Sequence, residues 1–200
     1  MKKILAVLGF CCLFVGQANA GLIFQDDFGT DGNVRFASGS TVGEWTATQG
    51  NVEFWNFGGV FAGRAADLNG FPNVLGGIQT TKSFSFVANT SYTLSFLLGN
   101  NQGSSDNGVK FGFRNGNDIF ASGEIINLRT FLSGLGVKST VVSLLFMTQT
   151  DIEASIFFTS TGTPDNGAAI IDNVRVVPEP STLAIVALGL IGLGARRFKK

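Results

Sequence analysis

Clusters of glycine, asparagine and aspartate interrupt the chain at short intervals between residues 21 and 177. Asp31-Gly32-Asn33, Asn69-Gly70 and Asn115-Gly116-Asn117 are three of these clusters. Turn signals that recur about every 8–12 residues between β-rich runs are typical of all-β sandwiches and barrels. The chain has 27 glycines and only 14% charged residues, against roughly 25% charged residues in average globular proteins. We therefore expect short strands joined by tight turns, and no helical bundle.

Large apolar and small polar side chains alternate most clearly in residues 83–87 and 92–96. Such alternation gives each strand one apolar face, and a turn through residues 88–91 predicts that the two strands pair as a hairpin. Two sheets packed face to face would bury the phenylalanine-rich faces in one core. The pattern predicts an all-β fold, a jelly-roll β-sandwich. Residues 128–138 have weak strand character and are expected to form a loop with a helical turn.

The N-terminus has the organisation of a secretory signal peptide. Two lysines follow Met1, residues 4–16 are apolar, and Ala18 and Ala20 form a small-x-small cleavage site before Gly21. We therefore assign residues 1–20 to a signal peptide and expect signal peptidase to process it. Cleavage would remove both cysteines of the sequence and leave the mature domain, residues 21–177, without any.

The C-terminus begins with Pro178-Glu179-Pro180 and continues into an apolar stretch from Leu183 to Ala195, followed by a basic end at residues 196–200. Thirteen residues form a helix of only about 20 Å, shorter than the ~30 Å hydrocarbon core of a bilayer. The stretch predicts a short transmembrane helix of marginal span, with its basic tail in the cytoplasm.

Residues 178–200 resemble the PEP-CTERM sorting signal in the order of motif, glycine-rich apolar helix and basic end. The resemblance implies that exosortase recognises Pro178, Glu179 and Pro180 and removes the tail. The expected precursor is exported and crosses the inner membrane transiently through its C-terminal helix. The product is then located at the cell surface or outside the cell. An ordinary membrane anchor after a proline-rich linker is the alternative, and it differs only in that the tail is not cut.

Composition excludes several classes of function. The sequence contains no histidine, which excludes Ser-His-Asp and Cys-His catalysis and histidine-ligated metal sites. Residues 21–177 carry 8 basic and 13 acidic side chains, a net charge near −5. No nucleic acid partner is expected for a domain of that sign.

The domain between the two ends has a second resemblance, carried by Trp45, residues 63–70, residues 76–80, residues 92–101 and residues 170–176. In this order they resemble galactose-binding-like jelly-roll modules, including secreted choice-of-anchor proteins and carbohydrate-binding modules. The resemblance implies the jelly-roll fold and carbohydrate binding, although this fold hosts many functions.

Related modules often hold a structural calcium ion where the first and last strands meet, and the matching residues are Asp26, Asp27 and Asp172. A calcium site uses carboxylate and carbonyl oxygens. Phe28-Gly29 stands where a glutamate would be expected after a phenylalanine, so one ligand of the pattern is missing. No other cofactor is expected. In the alternative interpretation the aspartates near the first strand cap turns.

An exposed aromatic platform is the expected ligand-binding surface, because sugars stack their C–H faces on flat rings. The candidate rings are Trp45, Trp55, Phe57, Phe61 and Tyr92, and most of them should belong to the core. Trp55 and Phe57 alternate with inward positions on their strand and would lie outside beside Glu53. These three residues are the candidate binding residues, and the alternative is that they pack into a second face.

The sequence therefore predicts a secreted, non-catalytic protein of the cell surface or extracellular matrix that associates with exopolysaccharide, for example in a biofilm. A structural or adhesive protein that binds protein or itself is the first alternative. A secreted glycan-active enzyme is the second. That enzyme would need two carboxylates about 5–10 Å apart across a cleft, and the spacing of the acidic residues singles out no such pair.

Overall fold

The computed structural model describes residues 21–61, 63–72, 74–100, 107–132, 138–164 and 169–179. These residues form fourteen strands and one short helix. In chain order the elements are β1 (Phe24–Asp26), β2 (Val34–Ala37), β3 (Thr41–Val42), β4 (Trp45–Gln49), β5 (Asn51–Asn56), β6 (Arg64–Asp67), β7 (Gly77–Thr80), β8 (Phe84–Phe86), β9 (Ser91–Asn100), β10 (Gly108–Asn115), β11 (Asp118–Ile125), α1 (Leu128–Phe131), β12 (Lys138–Met147), β13 (Ile152–Thr161) and β14 (Ala169–Pro178).

The strands form two seven-stranded sheets, and the pairings within each are antiparallel. The first sheet has the order β12-β9-β14-β6-β5-β2, with β1 paired to β14. The second sheet has the order β11-β10-β13-β7-β4-β3, with β8 paired to β13. Neighbours in each sheet are mostly distant in sequence, as in Greek-key connections. The expected all-β jelly-roll sandwich is confirmed.

Aromatic rings fill the space between the sheets. Trp45 is fully buried, and the rings of Phe96 and Phe158 meet edge to face across the core with centroids 4.9 Å apart. Phe86 and Phe113, which both belong to the second sheet, also meet edge to face, with centroids 5.1 Å apart. Such pairs contribute about 0.5–1.5 kcal/mol each beyond the apolar area that they bury. The expectation that most rings belong to the core is confirmed, with Tyr92 and Phe61 also buried.

The predicted hairpin between residues 83–87 and 92–96 is wrong. β8 pairs with β13 in the second sheet, whereas β9 pairs with β12 and β14 in the first. The connecting residues therefore cross from one sheet to the other, and the two apolar faces meet across the core, where the rings of Phe86 and Tyr92 lie 5.0 Å apart. Alternation identifies the buried face of a strand and leaves its partner undetermined.

Several boundaries also differ from the sequence pattern. The run 77–86 reads as one strand and is divided into β7 and β8. The short strands β2 and β3 have no clear sequence signal. The expected helical turn is present as α1, which Asn127 caps by accepting a hydrogen bond from the N–H of Thr130 at 3.1 Å.

A small second cluster covers part of the outer face of the first sheet. Phe61, in the connection between β5 and β6, packs against Ala65 and Ile170, with Phe57 and Leu97 at its border. Gly99 lies directly beneath the Phe61 ring, because a Cβ atom there would come within 2.3 Å of the ring. This connection separates the uncovered part of β5 from the β9 side of the sheet.

The N-terminal processing segment lies outside the described residues, and so does the C-terminal one after Glu179. The predicted signal peptide with its cleavage residues Ala18 and Ala20, the predicted helix 183–195 and Pro180 lie outside the described residues. Of the residues that the structure describes, none belongs to a helix with the length and hydropathy of a membrane span. β14 runs to Pro178, so the first residue of the sorting motif is part of the sheet.

Candidate functional site

The outer face of β5 carries the candidate binding residues. Val52 and Phe54 point into the core, and Glu53 and Trp55 point outward, as the alternation predicts. Trp55 is 43% exposed although it is one of the largest side chains of the chain. Its cross-strand neighbour on β6 is Ala65, which is buried in the second apolar cluster.

A second exposed ring lies on the same surface. Phe71, in the connection between β6 and β7, is 62% exposed, and its backbone N–H donates to Oε1 of Glu53 at 3.0 Å. Its carbonyl oxygen accepts from the side-chain amide of Asn51 at 2.9 Å. Both anchors are on β5, so the loop is held against the strand and presents its ring beside Glu53.

An ion pair lies with the two rings. The guanidinium of Arg35, on β2, donates to the carboxylate of Glu53, and its central carbon lies 4.9 Å from the centre of the Phe71 ring. Glu53 and Trp55 are two residues apart, about 7 Å along a strand. We call Arg35, Glu53, Trp55 and Phe71 the β5 patch.

The other predicted member of the site is only partly available. Phe57 follows the end of β5, is half-buried, and leans on Phe61 with ring centroids 6.0 Å apart. It therefore belongs to the border of the second apolar cluster. Phe71 was not predicted from the sequence. The signal that could have identified it is a large aromatic residue between the polar turn Asn69-Gly70 and Pro72. Arg35 was missed because only tertiary pairing of β2 with β5 brings it to Glu53.

On the second sheet, the outward ring of Phe157 is covered. It is buried beneath the guanidinium of Arg114, which lies 5.1 Å from the ring centre and donates to the side-chain oxygen of Gln79 at 2.9 Å. Burial lowers the pKa of Arg114. Phe157 is buried, whereas Trp55 and Phe71 are exposed, so the β5 patch is the better candidate surface.

The predicted calcium residues come together near the pairing of β1 with β14. Asp26 lies opposite Val174, and Asp172 is buried on β14. Burial raises the pKa of Asp172 to about 6, a hydrogen bond from the N–H of Asn173 opposes the shift, and the charges of Asp27 and Asp26 add to it. The carboxylates of Asp26 and Asp27 are therefore close enough to disfavour the charged form of Asp172.

Their present arrangement does not form a metal cage. Asp26 accepts from the indole N–H of Trp45 at 2.7 Å and from the N–H of Phe28 at 2.8 Å, and Asp27 accepts from the N–H of Gly29 at 3.0 Å. Within the described residues, no three acidic or thiol side chains are grouped so that they could hold a metal ion. The carboxylates near β1 act here as turn caps and as the partner of a buried indole. Calcium binding stays a prediction.

The fold and the C-terminal motif together define an exported β-sandwich protein that carries a C-terminal sorting signal. Residues 176–199 match the model of the PEP-CTERM protein-sorting motif. The chain therefore carries a signal for export, membrane anchoring and processing by exosortase. No curated protein matches the chain.

Three similar solved structures have low identity to this chain and TM-scores below 0.5. The family 22 carbohydrate-binding module at the C-terminus of Clostridium thermocellum xylanase 10B is 15% identical, with a TM-score of 0.47 over 82% of this chain and 96% of that one. The N-terminal module of the same enzyme together with its catalytic module is 16% identical, with a TM-score of 0.48 over 80% of this chain and 29% of that one. A cyclase from Fischerella sp. is 15% identical, with a TM-score of 0.45 over 78% of this chain and 89% of that one.

Proposed function

We propose that the mature protein is a non-catalytic glycan-binding module of the cell surface or extracellular matrix, and that it binds exopolysaccharide through the β5 patch. The observation that carries this proposal is the pair of exposed rings, Trp55 and Phe71, on either side of the Arg35–Glu53 ion pair. Flat rings supply apolar contact for the C–H faces of a sugar, and charged groups orient its hydroxyls. The patch is held by hydrogen bonds to strands, so little ordering is needed on binding.

Binding should be measured by calorimetry with residues 21–179 and the exopolysaccharide of the host. Trp55→Ala and Phe71→Ala should each weaken binding by at least about tenfold, which corresponds to 1.4 kcal/mol. Phe120→Ala is the matched control, since Phe120 is as exposed as Trp55 but lies on the second sheet. Saturable binding that none of the three variants weakens would refute the β5 patch, and absence of binding would refute the glycan-binding function.

A glycan-active enzyme is the second candidate, since Glu53 and Asp67 are cross-strand partners and their Cβ atoms are therefore about 5 Å apart. Glu53 is occupied by Arg35 and by the Phe71 N–H, and Asp67 accepts from the N–H of Asn69 at 2.8 Å. Through these hydrogen bonds both carboxylates stabilise the local structure. New reducing ends released from the polysaccharide by the wild type, and abolished by Glu53→Gln, would favour the enzyme instead.

Self-association is the third candidate, because β12 is an edge strand of the first sheet and exposes Val141 and Leu145. A long apolar edge favours pairing with another strand. A dimer in analytical ultracentrifugation that Val141→Lys disrupts would support it.

A further inference from the structure

The sandwich holds the chain firmly at the point where the sorting tail leaves it. β14 ends at Pro178, which lies opposite Tyr92 of β9. The N–H of Glu179 then donates to the carbonyl oxygen of Ser91 at 2.8 Å, and its carboxylate accepts from the hydroxyl of Thr93. The first two residues of the Pro-Glu-Pro motif are therefore fixed to the first sheet.

Very little chain separates this fixed point from the apolar tail. Three residues, 180–182, lie between Glu179 and Leu183, where the apolar stretch begins. Four Cα-to-Cα steps span at most about 14 Å. When the tail is anchored in the bilayer, this end of the sandwich must therefore lie close to the lipid surface.

The same end exposes three large apolar side chains: Leu22, Val87 and Met147 are 54%, 57% and 58% exposed. Met147 lies opposite Ser91, on the other side of β9 from Glu179. The other two are held nearby: Leu22 precedes Ile23, whose N–H donates to Val176, and Val87 begins the turn in which the N–H of Asn89 donates to Thr148. We call Leu22, Val87, Met147 and Glu179 the exit end.

The charged groups beside the exit end are mainly acidic. The carboxylate of Asp151 accepts from the N–H of Ala88 at 2.7 Å, and that of Glu153 accepts from the hydroxyl of Ser85. Anionic lipid headgroups attract basic surfaces, so this end is unsuited to electrostatic adsorption. Its affinity for a bilayer would come from apolar side chains inserted at the level of the headgroups.

We propose that the exit end is a membrane-facing surface that rests on the bilayer of the anchored precursor, with Leu22, Val87 and Met147 in the interface. The proposal rests on the sorting signal and is independent of glycan binding. This arrangement also determines where the β5 patch lies relative to the bilayer. Glu53 of the β5 patch is level with Ile170 through Asp67, about eight residues or roughly 25 Å along β14 from the exit end. The β5 patch therefore stands away from the lipid.

The test uses residues 21–200 in vesicles of phosphatidylcholine, and the absence of cysteine after residue 12 permits single-cysteine labelling. An environment-sensitive fluorophore is attached at Val87→Cys, Met147→Cys or Ile126→Cys. Ile126 is the control because it is 74% exposed and follows β11 at the opposite end of the sandwich, next to Gly108 at the start of β10. Nitroxide-labelled lipids then report proximity to the bilayer.

We expect the protein to float with the vesicles, and lipid nitroxides to quench the labels at 87 and 147 several-fold more than the label at 126. Adding anionic lipid should not increase this quenching. Equal quenching at the three positions would overturn the proposal. So would energy transfer between labelled copies without lipid quenching, which would show a second copy on this surface. If the protein does not float with the vesicles, both this proposal and the anchoring of the precursor by its tail are overturned. Glycan binding by the same samples is measured separately and decides only the function of the β5 patch.

Discussion

Replacing Asp172 by asparagine should remove a pH-dependent loss of stability. Asp172 is buried on β14, and its pKa is raised from 3.8 to about 6 by burial and by the charges of Asp27 and Asp26. One pKa unit corresponds to 1.36 kcal/mol, so the upper limit of the effect is about 3 kcal/mol. Asparagine keeps the oxygen that accepts from the N–H of Asn173 and cannot ionise.

The direction in which stability changes with pH depends on whether the folded or the unfolded chain releases the proton of Asp172 first. Below about pH 4 the carboxyl of Asp172 is protonated in both the folded and the unfolded chain, and its contribution to stability is fully present. As the pH rises from about 4 to 6, the unfolded chain ionises first, so the free energy of unfolding falls. It levels above the pKa of the folded state, about 6. In Asp172→Asn this decrease is absent.

The assay is urea denaturation of residues 21–179 between pH 4 and pH 7. The difference in unfolding free energy between Asp172→Asn and the wild type should rise with pH, by up to about 3 kcal/mol. Taking the difference cancels the other titrating groups, and the exposed Asp118→Asn serves as the control. A difference that stays constant, or falls, between pH 4 and pH 7 would show that the pKa of Asp172 is not raised in the folded protein.

The same experiment tests calcium. Repeated at pH 7 with calcium and with a chelator, it should show calcium stabilising the wild type and not Asp172→Asn if Asp172 is a ligand, since a ligand that binds only the folded state raises its stability. Equal stability in calcium and chelator would leave Asp26 and Asp27 as turn caps.

Two further predictions concern the first sheet. Gly99→Ala should destabilise the domain by about 1–3 kcal/mol, because its Cβ would lie 2.3 Å from the Phe61 ring. Gly32→Ala, which meets no heavy atom within 4 Å, should have little effect in the same denaturation assay. Thr93→Val should speed removal of the tail in pulse-chase experiments in the host, because it deletes the hydroxyl that holds the Glu179 carboxylate; unchanged or slower processing would contradict the idea that the sheet restrains the motif.

The class of fold, the inward faces of the strands and the sorting signal could all be predicted from the amino-acid sequence. Each is a local property: turn residues have preferred backbone angles, alternation follows from the two-residue period of a strand, and the sorting motif is continuous in sequence. The outward direction of Trp55 could be read in this way from Val52 and Phe54. So could the helical turn near residue 128.

The pairing of the strands, and therefore the contacts between their side chains, could not be predicted from the sequence and became known from the folded structure. The alternating pattern of β8 and β9 is the same whether the two strands form a hairpin or face each other across the core. In the structure they face each other, and their buried rings pack together. The β5 patch was assembled by three segments, since β2 brings Arg35 and the connection after β6 brings Phe71 to Glu53. Contacts between residues far apart in sequence depend on how complete sheets pack, and no local pattern records them.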